Sequence, residues 1–225
     1  TSPLQSIESV YYSEWALQND RQPFGGRQVW TSNWVPGIWS VRECWPGDNY
    51  HLALSYFQAG LPDDGYDIFR GTFLRTAFNH LSPGNLGGMQ GGIDFGDCVH
   101  TFARTLVSGL FGFQPDYPNG SVRIAPRFPS GWDHASVELP DFGMDFQRTG
   151  FVYSWSLKLK RAARLELLLP VQTGEVKEVT VNGKRINWEL LPAPGQSVCK
   201  IVLTGSNQAE VVVKTGKVSP YFPPV

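Results

Sequence analysis

Carboxylates and tryptophans crowd into one short stretch of this sequence. Arg42-Glu43-Cys44-Trp45-Pro46-Gly47-Asp48 sets Glu43 and Asp48 beside an arginine and an indole. Just upstream, Trp30, Asn33, Trp34 and Trp39 punctuate the run from Val29 to Ser40. A carboxyl group can protonate a leaving oxygen or activate a nucleophile, and a neighbouring charge tunes its pKa. Indole faces suit the C–H faces of sugar rings, and paired carboxyl groups suit cleavage of a glycosidic bond. Glu43 is therefore a general acid or base candidate, Asp48 a second carboxylate, and Trp30, Asn33, Trp34, Trp39, Arg42 and Trp45 candidate ligand contacts. Each also has a plainer use: an Arg42–Glu43 ion pair, Asp48 capping a helix, tryptophans packed in a core.

A second set follows Gly91-Gly92. Asp94 and Asp97 flank the start of a strongly apolar segment, and His100 lies one turn further in. As acids at a helix start they would complement the positive end of the helix. They also qualify as pocket carboxylates, with His100 facing a ligand. Glu14 beside Trp15 reads as a solvated helical acid, and Thr1 as a processing boundary rather than a nucleophile.

Other chemistries lack their residues. The chain has no P-loop, GxGxxG, HExxH or GxSxG pattern. Cys44, Cys98 and Cys199 form no CxxC pair and read as buried thiols, so neither a metal site nor a cofactor is expected. Twenty acids against 19 bases give a net charge of −1, without the basic footprint of a nucleic-acid binder. No apolar run is long enough for a membrane span. The residues do not distinguish a secreted, periplasmic or cytoplasmic location.

The elements that must position these groups fall into two grammars. Up to about residue 113, apolar residues recur at helical steps over Ser6–Gln18, Tyr50–Ala59, Asp64–Phe78 and Phe95–Phe113. The last is apolar around much of its circumference and should be deeply buried. Long connections, 21–48 and the glycine-rich 79–92, separate these helices, and loops of such length are usually functional. The Pro- and Gly-rich stretch 114–133 marks a boundary or linker. Beyond it, short alternating runs predict strands at 135–139, 151–159, 164–169, 176–181, 186–190, 198–203 and 209–213, with an earlier one at 122–125. Phe151, Tyr153, Trp155, Leu157 and Leu159 alternate strictly. Asn182-Gly183 is a strong hairpin signal. The expected fold is α+β in two parts: helices, then an antiparallel β-sandwich over 134–225 whose first strand starts as early as 121.

Two patches carry a family resemblance. Val29-Trp30-Thr31-Ser32-Asn33-Trp34-Val35-Pro36, Trp39-Ser40-Val41-Arg42-Glu43 and Pro46-Gly47-Asp48-Asn49-Tyr50-His51-Leu52-Ala53-Leu54 resemble the loop-plus-helix units of six-hairpin, (α/α)6-barrel glycosidases. These include α-L-rhamnosidase-like and glycogen-debranching-type enzymes. Phe113-Gln114-Pro115-Asp116, Val122-Arg123-Ile124-Ala125-Pro126 and Gly131-Trp132-Asp133-His134-Ala135 are similar to the junction between the last barrel helix of rhamnosidase-like enzymes and their C-terminal sandwich.

The resemblance implies that 1–113 is the C-terminal portion of a partial (α/α)6 toroid. Its partners would be an oligo- or polysaccharide substrate and the remaining barrel segment of the same enzyme. The opening Thr1-Ser2-Pro3 reads accordingly as a cut. Catalytic acids are implied near Glu43–Asp48 and Asp94–Asp97, in a metal-free glycoside hydrolase. Two rivals stand beside that reading. One is a non-catalytic carbohydrate-binding or structural module. The other is a polysaccharide lyase on the same fold, with His100 and Arg42 as proton acceptor and cation.

Overall fold

The structure is a computed structural model that describes residues 26–29, 45–78, 96–172, 175–193 and 196–216. The expected helix over 6–18 and the extended tail 220–224 lie outside the described residues. The chain divides into two compact units, Thr1–Leu110 and Phe111–Val225.

In the first unit, helix α1 spans Pro46–Ala59, α2 spans Pro62–Phe78 and α3 spans Gly96–Arg104. The last continues as a π-helical segment, Thr105–Leu110. Helix α1 starts earlier than the pattern suggested, with Trp45 as the extended cap residue and Pro46 inside the first turn. Proline presets the helical φ and gives up an N–H that the first turn would not use. Asp48 is thus a first-turn residue and not the cap. Gly60 ends the helix at φ 83°, where its N–H bonds Phe57 O at 3.1 Å and that of Leu61 bonds Tyr56 O at 3.0 Å.

Helix α2 returns antiparallel to α1. Gly65 lies against the Phe57 ring, and Tyr50 meets Phe69 at 5.6 Å and Thr76 at 3.4 Å. Helix α3 runs parallel to α1. Cys98 lies by Gly47, the Phe102 ring packs edge-on to Tyr50 at 5.4 Å, and Gly109 fits beneath Phe57. The Thr105 hydroxyl donates to Tyr50 O at 2.8 Å.

The expectation of one deeply buried helix over 95–113, apolar around much of its circumference, needs correction. The α-helix stops at Arg104, and Phe113 already belongs to a strand. Cys98, Thr105 and Gly109 are buried, while Val99, His100, Ala103 and Arg104 are exposed. The inward residues follow the 98–102–105–109 stripe facing α1. Val99 and Ala103, four apart, share the opposite side.

The second unit is a nine-stranded, mostly antiparallel sheet. Its strands are β1 Phe113–Asp116, β2 Ser121–Ile124, β3 His134–Leu139, β4 Phe142–Thr149, β5 Val152–Val171, β6 Val176–Val181, β7 Lys184–Arg185, β8 Glu189–Ala193 and β9 Gln196–Thr215. Strands β1 and β2 lie at the boundary that composition marks. Only β2–β5 is parallel among the described pairs.

Strands β5 and β9 organise this sheet. A straight 20-residue strand would be about 65 Å long. Yet Tyr153 Oη, at one end of β5, accepts the N–H of Gln172 just past the other end, at 3.1 Å. Strand β5 therefore folds over on itself, and its register with β9 shifts between Lys158 and Leu165. Its first half pairs with β4 and its second with β2, so the sheet becomes two facing layers. Phe113 of β1 stacks on Phe142 of β4 across them, at 4.4 Å and 2°. Trp155, Leu157, Leu165, Leu167, Leu169, Ile201, Val211 and Val213 fill the space between.

The expected runs 151–159 and 164–169 are thus one strand, as are 198–203 and 209–213. Strand β8 begins at Glu189, later than the expected 186. The Asn182-Gly183 turn forms as the sequence indicates, with φ of 50° and 75°.

Two outcomes test this packing. Gly112 has φ 68°, and a Cβ there would come within 2.0 Å of the Ala125 carbonyl carbon. Gly112→Ala should lower unfolding stability by about 3 kcal/mol or more, read from chemical denaturation. Cys199 is buried on β9, and burial pushes its thiol from 9.0 up to about 12. The raised pKa means stability that is complete below pH 9 and lost as pH rises toward 12. Cys199→Ala should flatten that part of the fall in denaturation midpoint.

Candidate functional site

The described part of the site is built from the segment 26–29 and the starts of α1 and α3. Segment 26–29 lies along α2. Gly26, at φ 91°, sits so close to Gly71 that a Cβ would fall 2.6 Å from its Cα. Arg27 bonds Asp67 at 2.7 Å and also Asp64, carboxylates one turn apart on α2. Burial works against the Arg27 charge, but its bonds to Asp67 and Asp64 outweigh that and hold its pKa above the ordinary value. Gln28 is buried and accepts a bond from Arg75 Nη1 at 3.2 Å.

Asn49 completes the arrangement. It is fully buried, in the first turns of α1. Its Oδ1 accepts the N–H of Val29 at 2.7 Å, and its Nδ2 donates to Val29 O at 3.0 Å and to Trp45 O at 2.9 Å. One amide thereby binds both ends of the segment 30–44, which carries most of the candidate residues. Sequence reasoning passed over Asn49. Its signal is an asparagine one residue before the buried Tyr50, inside a helix that disfavours it, where a side chain satisfying backbone groups is the usual reason.

The starts of α1 and α3 adjoin, because a Cβ on Gly47 would stand 3.6 Å from Cys98 Sγ. Trp45 is half-buried, with its indole against Gly47. Asp48 is exposed in the first turn of α1, a position that favours its negative charge. Asp97 is the second residue of α3. The structure thus brings Trp45, Asp48 and the backbone of Asp97 to one end of the helical unit. His100 is exposed on α3, one turn further along. Trp30, Asn33, Trp34, Trp39, Arg42, Glu43 and Asp94 lie outside the described residues. Among the described residues, no group of three or more His, Cys, Asp or Glu side chains is arranged to hold a metal ion.

No family model matches the chain, and no curated protein does. Solved structures match distantly. An α-L-rhamnosidase from Dictyoglumus thermophilum aligns with TM-score 0.39 and 15% identity, over 53% of this chain and 14% of that one. A putative kojibiose phosphorylase from the human microbiome aligns with TM-score 0.37 and 12% identity, over 73% and 20%. A β-L-arabinofuranosidase from Geobacillus stearothermophilus T6 aligns with TM-score 0.33 and 12% identity, over 78% and 32%. The chain therefore spans a third or less of the length of each. These neighbours are carbohydrate-active enzymes, and the likeness to them is distant.

The Asn49 clamp has a measurable weight. Asn49→Leu leaves the Val29 N–H and two carbonyls without their partner and should cost about 2–4 kcal/mol in chemical denaturation. Limited proteolysis within 30–44 should accelerate before the rest of the chain is cut.

Proposed function

We propose that the chain is the C-terminal part of a glycoside hydrolase, cleaving glycosidic bonds by carboxylate acid–base chemistry in a tryptophan-lined pocket. The observation that carries this reading is the gathering at the joined starts of α1 and α3. Trp45 and Asp48 stand on one helix and Asp97 begins the other. Glu43 is two residues from Trp45 in sequence, and Asp94 two residues from Gly96. Asp48 and the backbone of Asp97 thus stand at one end of the helical unit, and Glu43 and Asp94 adjoin the same two helix starts in sequence.

The chemistry asks for one protonated carboxyl group at the leaving oxygen. A second, ionised one acts opposite it, as base toward water or as nucleophile. Glu43 is proposed as acid or base, with Asp48, Asp94 or Asp97 as its counterpart. Trp30, Trp34, Trp39 and Trp45 would hold sugar faces, and Asn33, Arg42 and His100 would meet hydroxyl groups. Separation of the two acting carboxyl groups decides the outcome: about 5 Å gives retention and about 6.5–9.5 Å inversion.

The test uses the intact enzyme and a panel of aryl glycosides. Glu43→Gln should lower turnover by about 10²–10⁴-fold with unchanged folding by circular dichroism. Near-normal turnover would remove Glu43 from the mechanism. Sugar binding without hydrolysis by the unaltered protein would make this a binding module. An absorbing unsaturated product from uronate polymers would make it a lyase.

A further inference from the structure

A second polar site lies on the sandwich, far in sequence from the carboxylates just described. Strands β1, β2 and β5 pair so that Gln114 faces Arg123 and Arg123 faces Glu166. Two residues along, Asp116 faces Ser121 and Ser121 faces Arg164. All six stand on the side opposite the buried Val122, Ile124, Leu165 and Leu167. They form two rows of three, with about 5 Å between strands and about 7 Å between rows. Ser121 is the smallest of the six and occupies the middle of its row. The result is a hollow of about 240 Å³ rimmed by these side chains.

The charges of the hollow are complementary and balanced. Arg123 Nε bonds Glu166 at 2.8 Å, and the two Asp116 oxygens hold Asn119 Nδ2 at 3.0 and 2.9 Å. The Arg164 guanidinium, the Ser121 hydroxyl and the Gln114 amide make no side-chain hydrogen bond among the described residues. Two arginines and two carboxylates sum to zero. An anion would meet Asp116 and Glu166, and a cation would meet both arginines. A hydroxyl group accepts from a guanidinium and donates to a carboxylate, so a ring of hydroxyl groups satisfies both kinds of wall. The upper row continues onto β9 at Val202, which is 43% exposed and offers an apolar contact for a C–H face.

We propose that this hollow is an accessory site for a single neutral sugar residue. It uses none of the proposed catalytic residues and stands or falls separately from them.

The experiment follows the arginine signals of the full protein, labelled with 15N-arginine and titrated with methyl α-D-glucopyranoside and methyl α-L-rhamnopyranoside. Sodium acetate and inorganic phosphate serve as anionic probes. Arg164→Ala and Arg123→Lys assign the signals. The expected result is a saturable shift of the Arg123 and Arg164 signals by at least one glycoside, with Kd of about 1–10 mM. Ser121→Leu, which fills the hollow, should weaken it at least about tenfold. That variant should leave aryl-glycoside turnover unchanged, and Glu43→Gln should leave the arginine shifts unchanged. Should Ser121→Leu misfold, Ser121→Asn fills the same space with a polar group. Equal shifts from acetate or phosphate would make this an anion site and overturn the proposal. Arginine signals unmoved by either glycoside would overturn it too.

Discussion

One buried amide ties the segment 26–29 to the start of α1. Asn49 binds residue 29 on two sides and residue 45 on a third, closing the 15-residue segment between them. Bringing together two points separated by that length of chain costs about 2.5 kcal/mol in its length-dependent part. Three hydrogen bonds of about 0.5–1.5 kcal/mol each are of the same size, so the amide roughly offsets the closure it enforces. The Arg27 pairs with Asp64 and Asp67 then fix the segment 26–29 against α2. Without Asn49, the segment 26–29 would keep its ion pairs to α2, and the start of α1 would lose this tie to it.

The sandwich rests on a different constraint, one of parity. Tyr153, Trp155, Leu157 and Leu159 point inward in the first half of β5, and Ala163, Leu165, Leu167, Leu169 and Val171 in the second. All are odd-numbered. On β9, Cys199, Ile201, Ala209, Val211 and Val213 repeat the pattern, with Val198 at the strand's start also buried. A strand that folds over its own concave face keeps that face inward in both layers, so its alternation never changes phase. Two separate strands joined by an ordinary loop carry no such obligation. The shared phase was present in the sequence as two alternating runs. Read as separate strands, they hid the bend that makes the unit a sandwich.

What was legible followed from local chemistry. The Asn182-Gly183 turn needs positive φ at both positions and shows it. Helices α1 and α2 follow their apolar spacing, and Gly60 stops the first where a left-handed residue is required. What was not legible depended on partners distant in the chain. Strand β4 carries Phe142, Met144 and Phe146 at period two, but Gly143 and polar neighbours disguise it. Its register against β5 is what makes it a strand. Asn49 looks like an ordinary helix residue until Val29, 20 positions earlier, is placed beside it. The composition of α3 suggested deep burial over much of its circumference. Which of its apolar residues face α1 depends on Tyr50 and Phe57, and the sequence of α3 alone does not contain them.

The same alternation that hides the core also builds the outer face. Even positions on β5 point away from its odd, buried ones, and those on β1 away from the buried Phe113, so Gln114, Asp116, Arg164 and Glu166 are held in register by the packing beneath them. Strand β2 has the opposite phase, with Val122 and Ile124 inward and Ser121 and Arg123 outward. Antiparallel pairing with β1 and parallel pairing with β5 both accept that phase, because a pair of facing residues always shares a side. The polar grid therefore needs no loop to position it. Its side chains are spaced by the strand repeat and held by the hydrophobic core on the other side. A site so placed is rigid to the extent that the core is.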